Sequence, residues 1–479
     1  MMAVPACSRC SELERELAEL RAHNAQLQSQ LEIYEKPREV DAEDHEDDTG
    51  ESLSETLKYS PFSRVELQRY GRQMLVKEFG VKAQVKLGAA SVLLIGVGGL
   101  GSPVAMYLAA MGVGTLVIAD DDRVDRSNLH RQILHDEKGA REREKKVESA
   151  KRRLLELNPL LKCVVYRTRL TATNALKLVG DCDVVVDASD NVGTRYLAND
   201  ACARQHKPLV SGSALGLEGQ VTVFTYKSDV NATGCYRCLY PTPPGVAMSC
   251  AENGVVGVVP GVIGCLQAME TVKIITGVGE PLVGVQCFYD AYDGQFRRLK
   301  IGKKRNPDCP SCGGHVDEHS VRVPIPASLL VEVTCTDGAA IIDDLGPQFR
   351  ISGEEFANVR KAALVAKDGK EQSTMQYSYA LLDTRTHTQF EMVHFPEAVN
   401  VPTAQLMKQD PTQVIASLHG VPTDAIAAKR TFVICRRGVD SVKVTRWLVD
   451  HGIQNVFNVN GGYTEYAMEG GVDPTFPMY

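Results

Sequence analysis

Six cysteines and one glycine-rich loop have the residue types and spacings that could do chemistry. Cys235-x-x-Cys238 and Cys309-x-x-Cys312 are two pairs about 70 residues apart. Two such pairs supply four thiolates to one tetrahedral Zn²⁺, and with every position filled by protein the metal is structural rather than catalytic. The gap is wider than in a compact zinc ribbon, so the metal would staple segments distant in the chain. Metal-free reduced thiols, or two small disulfides, are the alternatives. Cys250 lies in PTPPGVAMSCAENGVVG, where prolines and glycines read as a loop. A thiolate there can attack an activated carbonyl and form a thioester; a spare thiol is the alternative. Cys435 ends the apolar run TFVI and opens Cys435-Arg436-Arg437-Gly438-Val439-Asp440-Ser441 ahead of a helix, with Asp440 or Ser441 as the expected N-cap. Converging backbone N–H groups, a helix dipole and two arginines stabilise an anionic thiolate or persulfide. Phosphate chemistry of the Cys-x₅-Arg kind is disfavoured, because Ser441 stands where that arginine would be.

Gly96-Val97-Gly98-Gly99-Leu100-Gly101 follows an apolar strand and opens a helix, and Asp120 ends the next strand 19 residues after Gly101. Glycines let backbone approach phosphates at a helix N-terminus, and the acid suits ribose hydroxyls. Alone, this reads as a dinucleotide site, with a bare strand–helix turn as the structural alternative. The segment from Asp120 to Gln132, DDDRVDRSNLHRQ with its first Asp at 120, shifts the balance, with Lys145 and Lys146 soon after. Hydride transfer does not need that density of cations. A triphosphate under attack does, since charge develops on the departing pyrophosphate. The pattern GxxxxGK[ST] is absent, so the loop is not a P-loop.

These groups need a scaffold, and the chain predicts an α/β one. With 479 residues, 44% hydrophobic and 24% charged, it suits about three domains and excludes wholesale disorder. A net charge of −7 argues against non-specific nucleic-acid binding, and no direct nucleic-acid contact is expected. The start, MMAVPACSRCSELEREL, has no apolar signal core, so a cytosolic protein with reduced thiols is expected. Residues 1–36 hold a helix whose Leu13, Leu17, Leu20, Asn24, Leu27, Leu31 and Tyr34 make a short heptad seam, with a solitary solvated helix as the alternative. Residues 37–56 are an acidic linker. From 57 to 316 the strands SVLLIG, TLVIAD, CDVVVDASD, PLVSGSA and QVTVFTY alternate with helical stretches such as 141–157. This order predicts a mostly parallel, Rossmann-like sheet with helices on both faces. The uncharged run from Leu87 to Ala119 contains glycines and a proline and reads as a buried strand–helix–strand unit, not a membrane span. Residues 317–346 are a second linker and 347–479 a second α/β domain, in which Ser352 and Glu355 form a capping box.

The first domain resembles the ubiquitin-activating-enzyme-like adenylyltransferases of the MoeB and ThiF kind. The resemblance rests on RYGRQ (69–73), GVGGLGSP, DDDRVDRSNLHRQ, KVESA (146–150), LNP, DASDN (187–191) and the two Cys-x-x-Cys pairs. The second domain resembles the rhodanese sulfurtransferases through LDTR (382–385), HFPEA (394–398), the Cys435 loop and NGGY (460–463), with Glu397 and Val439 departing from the usual glycine and asparagine. The resemblance implies ATP and Mg²⁺ as cofactors beside the structural Zn²⁺. Gly99 would lie against the phosphates, Asp120 would hold the ribose, and Ser127, Asn128, Leu129, His130 and Arg131 would line the nucleotide pocket. Lys146 would meet the phosphates, Asp190 would bind Mg²⁺ beside Asn191, and Arg72 would reach the partner's site across a homodimer. It also implies adenylation of the C-terminal glycine of ubiquitin-like sulfur carriers, such as the ubiquitin-related modifier and the small subunit of molybdopterin synthase. Capture at Cys250 and persulfide transfer from Cys435 would give a thiocarboxylate. A cysteine desulfurase would donate the sulfur, no membrane would be involved, and the product would serve tRNA wobble-uridine 2-thiolation and molybdenum cofactor biosynthesis.

Overall fold

The computed structural model describes residues 60–226, 234–242, 254–301, 306, 308–313, 345–365, 379–467 and 471–477. The heptad seam, the acidic linker, Cys250 and most of the 317–346 linker lie outside the described residues. The chain divides between residues 335 and 336 into two compact units.

In the first unit the apolar runs become β1 (Ser91–Ile95), β2 (Thr115–Ala119), β3 (Lys162–Tyr166), β4 (Val184–Asp187), β5 (Leu209–Leu215), β6 (Glu218–Phe224), β7 (Val285–Asp290) and β8 (Gln295–Lys300). One sheet runs β3-β2-β1-β4-β5-β6-β7-β8. Strands β1 to β5 are parallel. Val92, Leu93, Leu94 and Leu116 are fully buried, as strands covered on both faces must be. The expectation of a mostly parallel sheet holds for these five strands, and β6, β7 and β8 add an antiparallel edge. Gly216 at φ +60 and Gly294 at φ +68 turn two of these pairs as short hairpins, which leave no room for the crossover a parallel pair requires.

The stretch 87–119 folds as β1, the helix Gly101–Met111 and β2. Val258–Thr276 is long and apolar enough to cross a membrane. It packs within this unit: Val259, Ile263 and Val272 are buried, and a Cβ on Gly264 would come within 2.4 Å of the Leu100 carbonyl. The single helix expected over 141–157 is two, Glu137–Arg141 and Lys146–Leu157. Arg143 adopts φ +48 between them and the Val124 N–H bonds the Glu144 carbonyl, a break that places Lys146 in a first helical turn. Strand order reverses between β1 and β4, and the crevice beyond the carboxyl ends of those strands is where doubly wound sheets bind ligands.

The second unit is a parallel sheet, β9 (Arg350–Ile351), β10 (Tyr379–Asp383), β11 (Ala398–Asn400), β12 (Arg430–Ile434) and β13 (Val456–Val459), in the order β11-β10-β12-β13-β9. Phe356, Phe395, Phe432, Tyr463 and Tyr466 form its aromatic core. The capping box forms: Glu355 N–H donates to Ser352 Oγ at 3.1 Å and Ser352 N–H to Glu355 Oε2 at 3.0 Å.

Leu94→Ala, at a fully buried position of β1, should destabilise the first unit by about 2–5 kcal/mol. Leu157→Ala, on a side chain 38% exposed, should stay below about 1 kcal/mol. The check is the midpoint shift in urea unfolding.

Candidate functional site

The glycine loop is shaped by close backbone approaches. Gly96 sits at φ +85, and a Cβ on Gly101 would stand 2.1 Å from the Gly96 carbonyl oxygen, so no side chain fits there. A Cβ on Gly99 would only touch Arg131 and Pro260, at 3.4 Å. Val97 is held at both ends of its backbone. Its N–H donates to Asp120 Oδ2 at 2.9 Å, and its carbonyl lies 2.9 Å from His135 Nε2. Asp120 Oδ1 accepts the Asp122 N–H at 2.9 Å, so the carboxylate expected at the ribose also braces the loop. Burial raises its pKa, opposed by Lys146.

The segment after β2 is held by its own polar groups. Asp125 caps the short turn Arg126–Asn128, accepting the Ser127 N–H at 2.8 Å and the hydroxyl at 2.6 Å. His130 Nδ1 lies 3.0 Å from the Ser127 carbonyl and must donate to it, which leaves Nε2 to accept from Arg131 Nη1 at 3.2 Å. Arg131 Nη2 also donates to Asn128 Oδ1 at 2.7 Å, and Leu129 is half-buried between them. Lys146, 7% exposed, pairs with Asp122 at 2.9 Å. At the end of β4 the buried Asp187 pairs with Arg195 at 3.0 Å and accepts the Ser189 hydroxyl at 2.6 Å. Asp190 follows, exposed, and Asn191 caps the helix Val192–Gln205 by accepting the Thr194 N–H at 2.7 Å. Thus Gly99, Asp120, Lys146 and Asp190 all stand at the carboxyl ends of strands or at adjoining helix starts. Arg72 is exposed in the last turn of Arg64–Met74.

Sequence reasoning missed Arg195, Gln132 and His135. Gln132 is 5% exposed, lies against Gly98, and leaves Oε1 without a hydrogen-bond partner among the described residues. His135 is buried, its Nδ1 3.0 Å from the Ser149 hydroxyl. The Val97 carbonyl can only accept, so Nε2 carries the proton and Nδ1 accepts from Ser149. Burial, with Lys146 and Arg152 nearby, lowers its pKa to about 4 and keeps it neutral at physiological pH. Its only sequence signal is a histidine closing the apolar stretch ILH.

Cys235, Cys238, Cys309 and Cys312 come together, with all four Sγ atoms within 4.8 Å of one another. The Cys235–Cys309 and Cys238–Cys312 separations are 3.5 and 3.4 Å, and Cys235–Cys238 is 3.9 Å. Ligands about 2.3 Å from a tetrahedral Zn²⁺ stand at nearly such distances, so the donor set fits that metal as a closed structural site. The shell is tied to the helix Val192–Gln205. Arg237 pairs with the buried Asp200 at 2.8 Å, Ser311 Oγ donates to the same carboxylate, and Arg204 donates to the Pro310 carbonyl at 3.2 Å.

In the second unit Cys435 follows the central strand β12 and is 3% exposed. Its Sγ accepts the Gly438 N–H at 3.1 Å and the Ser441 hydroxyl at 3.2 Å. The helix begins at Val439 with Gly438, φ +82, as its N-cap, so neither Asp440 nor Ser441 caps it. Ser441 is instead turned in, onto the sulfur. The loop is pinned by Tyr463 N–H to the Cys435 carbonyl at 3.0 Å, and a Cβ on Gly462 would stand 2.1 Å from that oxygen. Beneath, Asp383 and Arg385 pair in full burial, and the Arg385 guanidinium lies 3.9 Å above the Tyr463 ring. The departure at Glu397 has a partner. Its buried carboxylate meets Arg360 and the Tyr379 hydroxyl, the latter at 3.0 Å, and burial works against ionisation while these hydrogen bonds hold its pKa below the usual value.

Residues 70–311 match the ThiF family and residues 365–469 the rhodanese-like domain. A crevice-bearing sheet with this glycine loop, joined to a rhodanese unit, defines an adenylyltransferase fused to a sulfurtransferase. An adenylyltransferase and sulfurtransferase MOCS3-2 of Zea mays is 37% identical, covering 99% of this chain and 97% of the relative. The MOCS3 protein of Culex quinquefasciatus is 41% identical over 86% and 90%, and that of Drosophila yakuba 37% over the whole of both. The chain therefore belongs to the MOCS3 adenylyltransferase and sulfurtransferase family, and its ThiF unit implies use of ATP.

Removing zinc with a strong chelator, or Cys309→Ala, should lower the thermal stability of the first unit and leave the second unit's transition in place. Elemental analysis should give about one zinc per chain before treatment and none after.

Proposed function

We propose that this chain adenylates the C-terminal glycine of small ubiquitin-like sulfur carriers and converts it to a thiocarboxylate. The observation that supports this most is the presence in one polypeptide of two complementary devices. One is a cation-lined glycine loop; the other is a buried cysteine whose sulfur receives two hydrogen bonds. In the first unit ATP would lie with its phosphates over Gly99 and between Lys146 and Arg131. The carrier carboxylate attacks the α-phosphorus and pyrophosphate leaves, its charge met by these cations. Mg²⁺ held at Asp190 would supply further neutralisation of the phosphates. Cys250 then captures the acyl group and releases AMP. In the second unit the Gly438 N–H and Ser441 hydroxyl would stabilise a persulfide on Cys435, charged by a cysteine desulfurase. Its terminal sulfur attacks the Cys250 thioester and the Cys250 thiolate leaves; a thiol reductant, itself oxidised to a disulfide, then cleaves the S–S bond to free the thiocarboxylate and the Cys435 thiol. We place the reaction in the cytosol, serving tRNA wobble-uridine 2-thiolation and molybdenum cofactor biosynthesis.

The test separates the two chemistries. Cys435→Ala should abolish carrier thiocarboxylate, read by intact mass as one oxygen replaced by sulfur, and leave ATP–pyrophosphate exchange intact. Asp190→Ala should abolish exchange and leave sulfur transfer to cyanide intact. Normal thiocarboxylate formation by Cys435→Ala would overturn the reading.

Arg72, exposed at the end of its helix, is proposed to act in the partner subunit's site of a homodimer. Arg72→Ala and Asp190→Ala proteins should each lack exchange. Mixed and allowed to swap subunits, they should recover up to about half the activity per mixed dimer, because one site keeps both groups.

A further inference from the structure

We propose that His135 is a positioning residue for adenylation: its imidazole bolts the Val97 peptide of the glycine loop to the helix that carries Lys146, and so sets the separation between loop and ammonium. The inference rests on the nucleotide-site reading above. Its basis is a three-part chain of contacts, all buried. The Val97 carbonyl lies 2.9 Å from His135 Nε2, and His135 Nδ1 lies 3.0 Å from Ser149 Oγ. Ser149 is one turn from Lys146 in Lys146–Leu157, and its N–H donates to the Lys145 carbonyl at 3.0 Å. Val97, Ser149 and His135 are 0%, 0% and 7% exposed, so water cannot replace the link. Asp120 grips the same residue from its N–H side, through the preceding peptide, but Asp120 belongs to the chain after β2. Among the described residues, only the imidazole joins the Val97 carbonyl to Lys146–Leu157.

A substitution that breaks the bolt leaves the Val97 carbonyl without its donor and lets the loop drift relative to Lys146. Pyrophosphate exchange, with ATP titrated, reads the effect. His135→Phe should raise the KM for ATP about tenfold, with a smaller change in kcat. His135→Gln, whose amide nitrogen reaches the place of Nε2, should restore most of the affinity. Ser149→Ala should weaken ATP binding alone but add nothing to His135→Phe, because both cut the same link. If His135→Phe does not fold, His135→Asn decides, since its amide reaches toward Ser149 but falls short of Val97: a raised KM supports the proposal and an unchanged one overturns it. Fully additive effects of His135→Phe and Ser149→Ala would also overturn it. Lys146→Ala in the same assay separates the two readings. Exchange lost there but unmoved in His135→Phe overturns this inference alone; exchange that survives Lys146→Ala overturns the site reading and this inference with it.

Discussion

A single carboxylate withdrawn from water, that of Asp187, organises the floor of the nucleotide crevice. It ends β4 with no exposure and pairs with Arg195 from the following helix. Arg195 reaches on to the Gly212 carbonyl of β5, while Gln267 of Val258–Thr276 donates to the Asp187 carbonyl at 2.7 Å. Two strands and two helices thus meet at one ion pair. An unpaired buried charge costs about 3–5 kcal/mol, so the pair stands or falls as a unit. Asp190 and Asn191 lie three and four residues beyond, and their place at the crevice follows from it.

The same logic recurs in the second unit with different atoms. Asp383 and Arg385 are buried together, and Arg385 covers Tyr463. The Tyr463 hydroxyl accepts the Phe395 N–H at 3.3 Å, and its backbone N–H holds the Cys435 carbonyl. A rigid support is thereby carried from the sheet to the cysteine loop, leaving the sulfur to receive donors rather than to hold the fold together. In both units buried polar groups fix the short loop that carries candidate site residues.

What the sequence showed on its own depended on how far apart the cooperating residues lie. The glycine loop, the cysteine pairs and the Cys435 loop were legible because their chemistry sits in a few consecutive residues. The antiparallel edge of the first sheet was not, since the direction of β6, β7 and β8 is set by their connections, such as the short turn at Gly216, and not by any one run of residues. The break at Arg143 hid inside a charged run with good helical propensity. Gly438 as cap was missed because an αL glycine competes with the side-chain caps two and three residues later. His135 with Val97, and Glu397 with Arg360, are pairs 38 and 37 residues apart. Nothing local marks either partner as waiting for the other, and a departure such as Glu397 gains meaning only once its guanidinium is found.

The cysteine cluster and the crevice also set a leash length. Cys250 lies twelve residues after Cys238, a member of the cluster, and seven before Gly257. Gly257 is pressed against the nucleotide segment, where a Cβ would stand 2.2 Å from the His130 carbonyl oxygen. Seven residues span at most about 25 Å even when fully extended. Covalent geometry alone therefore keeps the Cys250 Cα within about that distance of Gly257. Confinement of this kind corresponds to an effective concentration in the millimolar range. In the reaction proposed above, the thiol would be a tethered reagent, and its encounter with an acyl group made in the crevice would be an intramolecular event.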